Sequence, residues 1–371
     1  MVLASAGEYL IARRDAVRTF DFGLFLPIAN NGMIASTAYQ YMPTFALNKA
    51  IALSAERLDY SFIFSMTKWR GYGGTTQHWD HAKESFSLMS GLAAVTERIR
   101  LVTSIALPTL HPAVAARMAT TLDDISNGRL VVNIVAGWNK LEYSQMGLWP
   151  GDAYFGYRYD YASEYVTVLR RLWDEGRVTF KGRYFELDDC VCLPKPSRHI
   201  PLIGAGQSET GMRSAAQWAD YNFIFGDVST AGELTARTAR YAAEAGRKVA
   251  TYVLIAVVAE ETDEKAQEVA QRLADTVDLE AVEKWRALGV ADAKGSASER
   301  HKADVFMGVT SVIGSYERVA DYFDRLSHLG IQGAAMFFPD WLADVEKFGE
   351  HVMPLMRARL GMDPRRDEMR T

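Results

Sequence analysis

The stretch Leu130–Ala136 reads Leu-Val-Val-Asn-Ile-Val-Ala, apolar and mostly β-branched except for Asn133. A half-solvated strand would alternate apolar and polar residues. An unbroken apolar run instead suits a strand covered on both faces, the condition of a parallel sheet with helical crossovers. Working upstream, Pro112–Ser126 is helix-forming with proline near its first turn. Before it stand a β-branched run, Ile99–Ala106, a helical segment, Glu84–Thr96, and a strand-like Phe62–Ser65. Leu47–Leu58 has helical spacing, and Phe20–Pro27 opens the series as a short apolar run. Downstream, after a long connection, a helix is predicted over Asp160–Glu175. Strands follow at Leu202–Gly204, Tyr221–Phe225 and Tyr252–Val258, with helices at Thr210–Trp218 and Ala231–Ala245. A helix at Ser315–Leu329 and a strand at Gly333–Phe338 end it. About eight units alternate, which predicts an α/β fold with a parallel sheet.

Such a sheet is either doubly wound or closed. The first strand lacks a glycine-rich turn opening into a helix, so the dinucleotide fingerprint is absent. Polar, aromatic and glycine-rich stretches follow several different strands: Ala29–Phe45, Thr67–Asp80, Gly137–Tyr159 and Gly204–Gly211. That is the pattern of a (β/α)8 TIM barrel, whose site is built on one face from many loops. The reading is one domain over residues 1–371 with two insertions. The segment 178–197 looks like a hairpin, and 278–305 is charged and helix-forming.

Composition narrows the function. The chain has 371 residues, 49% hydrophobic, enough for one large core. A net charge of −5 gives no overall basic field, so nucleic acid is not an expected partner. No apolar run is long enough to span a bilayer, and no membrane association is expected. Arg13, Arg14 and Arg18 follow the apolar residues of the N-terminus, the wrong order for a signal peptide. Cys190 and Cys192 make no disulfide framework. A cytoplasmic protein is expected. His78 and His81 form an H-x-x-H beside Asp80, but no further ligand at zinc spacing supports a metal site, and none is predicted.

Several residues stand where barrel chemistry gathers. In Gly204-Ala205-Gly206-Gln207-Ser208, glycines allow close backbone approach, and the amides of the following helix can bind an anion. The same residues equally suit a plain strand-to-helix turn capped by Ser208. Arg158 and Tyr159, at the end of an aromatic loop, could clamp a phosphate, although a surface arginine is as common. Asn133, polar inside an apolar strand, must find partners, either in the protein or on a ligand edge. Glu142 and Trp138 lie just beyond that strand. Thr67 and Lys68 follow the second strand and Ser104 sits in the third.

At these residues the sequence resembles the bacterial-luciferase-like FMN monooxygenases. The segments that carry the likeness are PIANNG (Pro27–Gly32), QYMPTFALNKAI (Gln40–Ile51), RGYGG (Arg70–Gly74), ESFSLMSGLAAVT (Glu84–Thr96), VNIVAGW (Val132–Trp138), EYSQMGLWPGD (Glu142–Asp152), RYDY (Arg158–Tyr161) and GAGQS (Gly204–Ser208). Within the family they are similar to the pyrimidine (uracil) monooxygenases. The resemblance implies flavin contacts at Thr67, Lys68, Asn133, Glu142, Arg158, Tyr159, Gly206, Gln207 and Ser208, with Arg158, Tyr159 and Ser208 on the phosphate. It implies catalytic roles for Ser104, Asn133 and Glu142, and a substrate pocket at Phe64, Leu107 and Trp138.

The implied chemistry is two-component. Reduced FMN arrives from a separate NAD(P)H:flavin reductase and reacts with O₂ to a flavin peroxide, at N5 in this family. The peroxide attacks an amide carbonyl of uracil or thymine and opens the ring. A heterocyclic small molecule, that reductase and further copies of the chain are the implied partners. There are departures. Thr67 replaces an isoleucine, Ser104 replaces a threonine, Ile105–Pro108 resembles the sulfone monooxygenases, and Phe337–Trp341 is bulky. They bear on the substrate more than on the flavin. The alternatives are the same chemistry on a riboflavin side chain, a sulfone or a haloaromatic, or a flavin-binding relative without turnover.

Overall fold

The computed structural model describes residues 19–289 and 305–361. Its strands are β1 (Asp21–Phe25), β2 (Phe62–Phe64), β3 (Arg100–Ala106), β4 (Leu130–Val135), β5 (Arg177–Lys181), β6 (Glu186–Val191), β7 (Leu202–Gly204), β8 (Tyr221–Ile224), β9 (Ala250–Glu260), β10 (Ser311–Ser315) and β11 (Gly333–Phe337). Eight of them run parallel in the order β1-β2-β3-β4-β7-β8-β9-β11, and β11 pairs back onto β1. The sheet is therefore closed into a barrel, and each predicted strand supplies one stave. Strand β9 is the longest. Its first half lies between β8 and β11, while its second half runs on and carries β10 at its side.

Helices separate the staves, as a parallel sheet requires. The helix Pro112–Ile125 buries Ala115, Ala116, Ala119 and Leu122, spaced at three and four residues, against β4 and its neighbours. Inside, strand alternation puts Phe64, Val102, Val131 and Phe223 on the barrel axis. Phe64 lies 5.1 Å, ring to ring, from both Phe25 and Phe223, in an aromatic layer near the C-terminal strand ends.

The hairpin expected near 178–197 is β5 paired antiparallel with β6. Of the second insertion, Leu279–Gly289 is a helix, while residues 290–304 lie outside those described, as do Arg13, Arg14 and Arg18. One boundary needs correction. The helix predicted from Asp160 begins at Tyr154, so Arg158 and Tyr159 are helical rather than the end of a loop. No side chain caps this helix, so the sequence carries no start signal there. Packing sets its start instead: Tyr154 meets Trp149 and Tyr161 edge-on, at 5.5 and 5.7 Å. No helix among the described residues is long and apolar enough to cross a membrane.

Candidate active site

The C-terminal ends of the strands form one mouth, and two polar constellations occupy it. The first stands on β3 and β4. Ser104 and Asn133 are paired in register and lie two residues beyond Val102 and Val131, hence on the same interior face and nearer the mouth. The Asn133 amide nitrogen donates to Ser104 Oγ at 2.9 Å, and the Ser104 hydroxyl donates to the Ser65 carbonyl at 2.7 Å. Asn133 is 4% exposed, and its Oδ1 has no partner in the protein. A buried acceptor left so is uncommon, and it has a lone pair to offer a ligand's donor.

Beside it lies a buried ion pair. Gly137 turns the chain after β4 at φ +85°, where a side chain would be strained and would press on Pro108 and Tyr143. Asn139 then caps the short helix Lys140–Ser144, which aims Glu142 inward. Glu142 accepts from Lys68 Nζ at 3.1 Å and from the Trp69 amide at 2.7 Å. The Lys68 ammonium also faces the rings of Tyr72, Trp79 and Trp138, at 4.8, 5.0 and 5.9 Å from their centres. Burial pushes it below the usual lysine range, against the opposing pull of Glu142. Thr67 is half-buried next to it, and Leu107 is buried where β3 passes into a single 3-10 turn.

The second constellation stands on β7 and the two helices Tyr154–Glu175 and Glu209–Trp218. Ser208 caps the latter, accepting from the Gly211 amide at 3.1 Å. Tyr159 Oη lies 3.4 Å from Ser208 Oγ, and Arg158 reaches Tyr159 Oη at 3.3 Å. The three predicted phosphate residues thus converge, although they come from separate elements. A Cβ on Gly206 would sit 2.4 Å from the Gly211 backbone, and one on Gly211 would crowd Tyr159 Oη and Ser208 Oγ. Glycine is required there for the turn to close. The loop is held from β8: Asn222 exchanges hydrogen bonds with the Gly206 amide and carbonyl, and Gln207 donates to the Phe225 carbonyl at 2.6 Å.

Several residues here escaped the sequence. Asn222 interrupts the apolar run Tyr221–Phe225 as Asn133 interrupts Leu130–Ala136, so the same signal was present. Ser65 and Ser85 gave none, because isolated serines are ordinary anywhere. His78 is fully buried with both ring nitrogens unpartnered, stacked on Trp79 at 5.1 Å. Burial lowers its pKa to about 3. His81 is exposed and meets Gln77 at 3.1 Å, so the two histidines serve different environments. Phe64 is in the aromatic layer under the mouth.

Comparison with known proteins gives the family. The pyrimidine monooxygenase RutA of Serratia proteamaculans (strain 568) is 47% identical over 354 residues, spanning 92% of this chain and 97% of that protein. RutA of Cronobacter turicensis is 48% identical over 349 residues, 91% of this chain and 92% of its own. Among solved structures, riboflavin lyase (RcaE) has a TM-score of 0.80 at 20% identity, covering 92% of each chain. DmoA of Hyphomicrobium sulfonivorans has 0.77 at 21% identity, covering 92% of this chain and 88% of that one. At such identities the structural likeness concerns the fold alone. The model of the luciferase-like monooxygenases matches residues 20–333, from the first barrel strand to the start of the last. That match over most of the closed barrel, together with these relatives, shows that the chain belongs to the luciferase-like monooxygenase family and is a monooxygenase.

Proposed function

We propose that the chain uses FMN, reduced by a separate NAD(P)H:flavin reductase, and O₂ to open a cyclic amide of the pyrimidine class, uracil or thymine. The observation that carries this reading is the sharing of one barrel mouth by an anion cradle and an orphaned buried amide oxygen. The names of the relatives point the same way.

The residues fit the cofactor. The cradle of Arg158, Tyr159 and Ser208 gathers a guanidinium and two hydroxyls, the kind of donors a phosphate monoester needs. Asn133 Oδ1 offers an acceptor to a flat heterocycle lying over Phe64. Bound reduced FMN would supply the two electrons that activate O₂, at its N5 edge, for attack on the amide carbonyl.

The chain's own part is placement. Lys68 and Glu142 hold each other in an aromatic box and so keep a fixed dipole beside the ring site. Ser104 and Asn133 fix hydrogen-bond directions where charge develops. Trp138 and Leu107 wall the pocket against water. A second reading keeps the cofactor and changes the substrate, and is favoured by Thr67, Ser104 and the Ile105–Pro108 segment. The test is product formation with reduced FMN and O₂ over uracil, thymine, riboflavin, a dialkyl sulfone and a haloaromatic. Ring-opened product from uracil or thymine is expected. No uracil or thymine consumption above a no-enzyme control, with turnover of another member, establishes the second reading.

A further inference from the structure

Beneath Asn133 lies a chain of hydroxyls in an otherwise apolar region. Ser85, the first residue of the helix Ser85–Ala93, is 2% exposed, and Ser65, Thr103 and Ser104 are as deeply buried. Strand β2 ends at Phe64, opposite Val102. Beyond that pair the Ser104 amide has no strand partner and donates to Ser85 Oγ at 3.0 Å. Ser85 Oγ in turn lies 3.1 Å from the Ser65 carbonyl, 3.0 Å from Ser65 Oγ and 2.9 Å from Thr103 Oγ1. A helix side chain thus completes the ladder where the strand stops.

This chain settles the direction of the Asn133 amide by proton counting. The Ser65 carbonyl can only accept, so the hydroxyl proton of Ser104 is committed to it at 2.7 Å. The Ser104 oxygen can then only accept from Asn133. The atom facing it at 2.9 Å must be the amide NH₂, which leaves Oδ1 as the unpartnered group. The opposite flip would set two acceptors against each other. The polarity follows from the carbonyl, whichever way the amide is drawn.

We infer that Ser85 is a positioning residue: by accepting from the Ser104 amide and reaching the Ser65 carbonyl it holds both ends of the bond that locks Asn133 as a hydrogen-bond acceptor toward the ligand, so that the mouth selects a molecule carrying an N–H at that point. This rests on the proposed flavin and cyclic-amide reading. Two ligands there bear such a group: a flavin, which gains a ring N–H on two-electron reduction, and a cyclic amide, which has its own. Oxidised flavin has no N–H at N5 and keeps only the one at N3, while methylating uracil at N1 or N3 removes the donor at that nitrogen and leaves the other. Ser85 touches neither ligand and acts only through Ser65 and Ser104.

The experiment measures two ratios in the full chain. One is the affinity for reduced over oxidised FMN, under anaerobic conditions. The other is uracil over 1-methyluracil and 3-methyluracil, as kcat/KM. In Ser85→Ala at least one ratio falls about five- to tenfold, the worth of one hydrogen bond. Ser90→Ala, which removes a hydroxyl bonded to Phe86 of the same helix, leaves both unchanged. A fall confined to the flavin ratio identifies the flavin N–H as the donor, and one confined to the uracil ratio identifies the substrate. Should Ser85→Ala not fold, Ser104→Ala reads the same ratios by freeing the amide directly. Both ratios unmoved in a folded variant overturn the inference while leaving the proposed function standing. Wild-type protein that binds no flavin overturns both.

Discussion

The barrel interior is polar at both ends, and the two ends are finished differently. At the N-terminal end Asp21 opens β1 and accepts from Arg100, which opens β3, at 2.8 Å, and from the Tyr252 hydroxyl of β9. Arg100 Nε donates to the Ser61 carbonyl at 3.3 Å. Strands from three parts of the chain are tied by groups that satisfy one another. At the C-terminal end Asn133 Oδ1 and both His78 nitrogens have no partner, and burial weakens the hold of Lys68 on its proton. Closed polar networks stabilise, and each buried group left without a partner calls for an explanation of its own. In barrels of this kind the N-terminal end serves stability and the C-terminal end carries the site, and the proposed site falls at the open end.

The largest expected effect comes from breaking the one closed pair at the working end. Lys68→Met leaves the Glu142 carboxylate buried without its counter-charge and should lose about 3–5 kcal/mol in urea unfolding. The double variant Lys68→Met/Glu142→Met should recover most of that, since an apolar pair often replaces a buried ion pair at little cost. It should remain without turnover. Recovery of activity along with stability would show that the pair is structural. At the other end, Arg100→Met should lose about 2–3 kcal/mol, less because the Asp21 pair is partly solvated. Its turnover per folded molecule should match the wild type. A loss of turnover without loss of stability would erase the contrast between the ends. Smaller again, Arg158→Ala should weaken FMN binding by about 1.5–3 kcal/mol with the flavin-free melting temperature unchanged. Unchanged affinity in a calorimetric titration would remove the arginine from the cradle.

The same division governs what was legible in the sequence. The eight staves were readable because each is a short apolar run, and burial on both faces leaves no other pattern. Arg158, Tyr159 and Ser208 could be named together because the family resemblance implied them, residue type alone leaving a helix cap and a surface arginine equally open, and the fold brings the three together. The start of the helix Tyr154–Glu175 was hidden because aromatic packing sets it, and a run of tyrosines around Gly156 carries no cap. Ser85 and Ser65 were hidden for another reason. A hydroxyl gains meaning only from the partner it meets, and theirs lie 18–39 residues away on other elements.

The smallest effect tests whether burial keeps His78 neutral in the folded chain. His78 stacks with Tyr72 and Trp79 and feels the charges of Lys68 and of the Asp278 carboxylate, which accepts from the Thr76 amide at 2.7 Å. Its folded pKa of about 3 lies below the ordinary 6.5. Above pH ~6.5 the ring is neutral in both states, and the full stability is present. As the pH falls from there toward 3, the unfolded chain takes up a proton that the folded one refuses, so stability declines. Between pH 7 and 5 the loss assignable to this ring should be about 1–2 kcal/mol. His78→Phe keeps a flat ring for the stack and removes the titration. The difference in urea-unfolding free energy between wild type and variant should therefore shrink or change sign as the pH is lowered. A difference constant from pH 7 to 5 would mean that the folded ring takes up its proton as readily as the unfolded one, and burial would not hold it neutral.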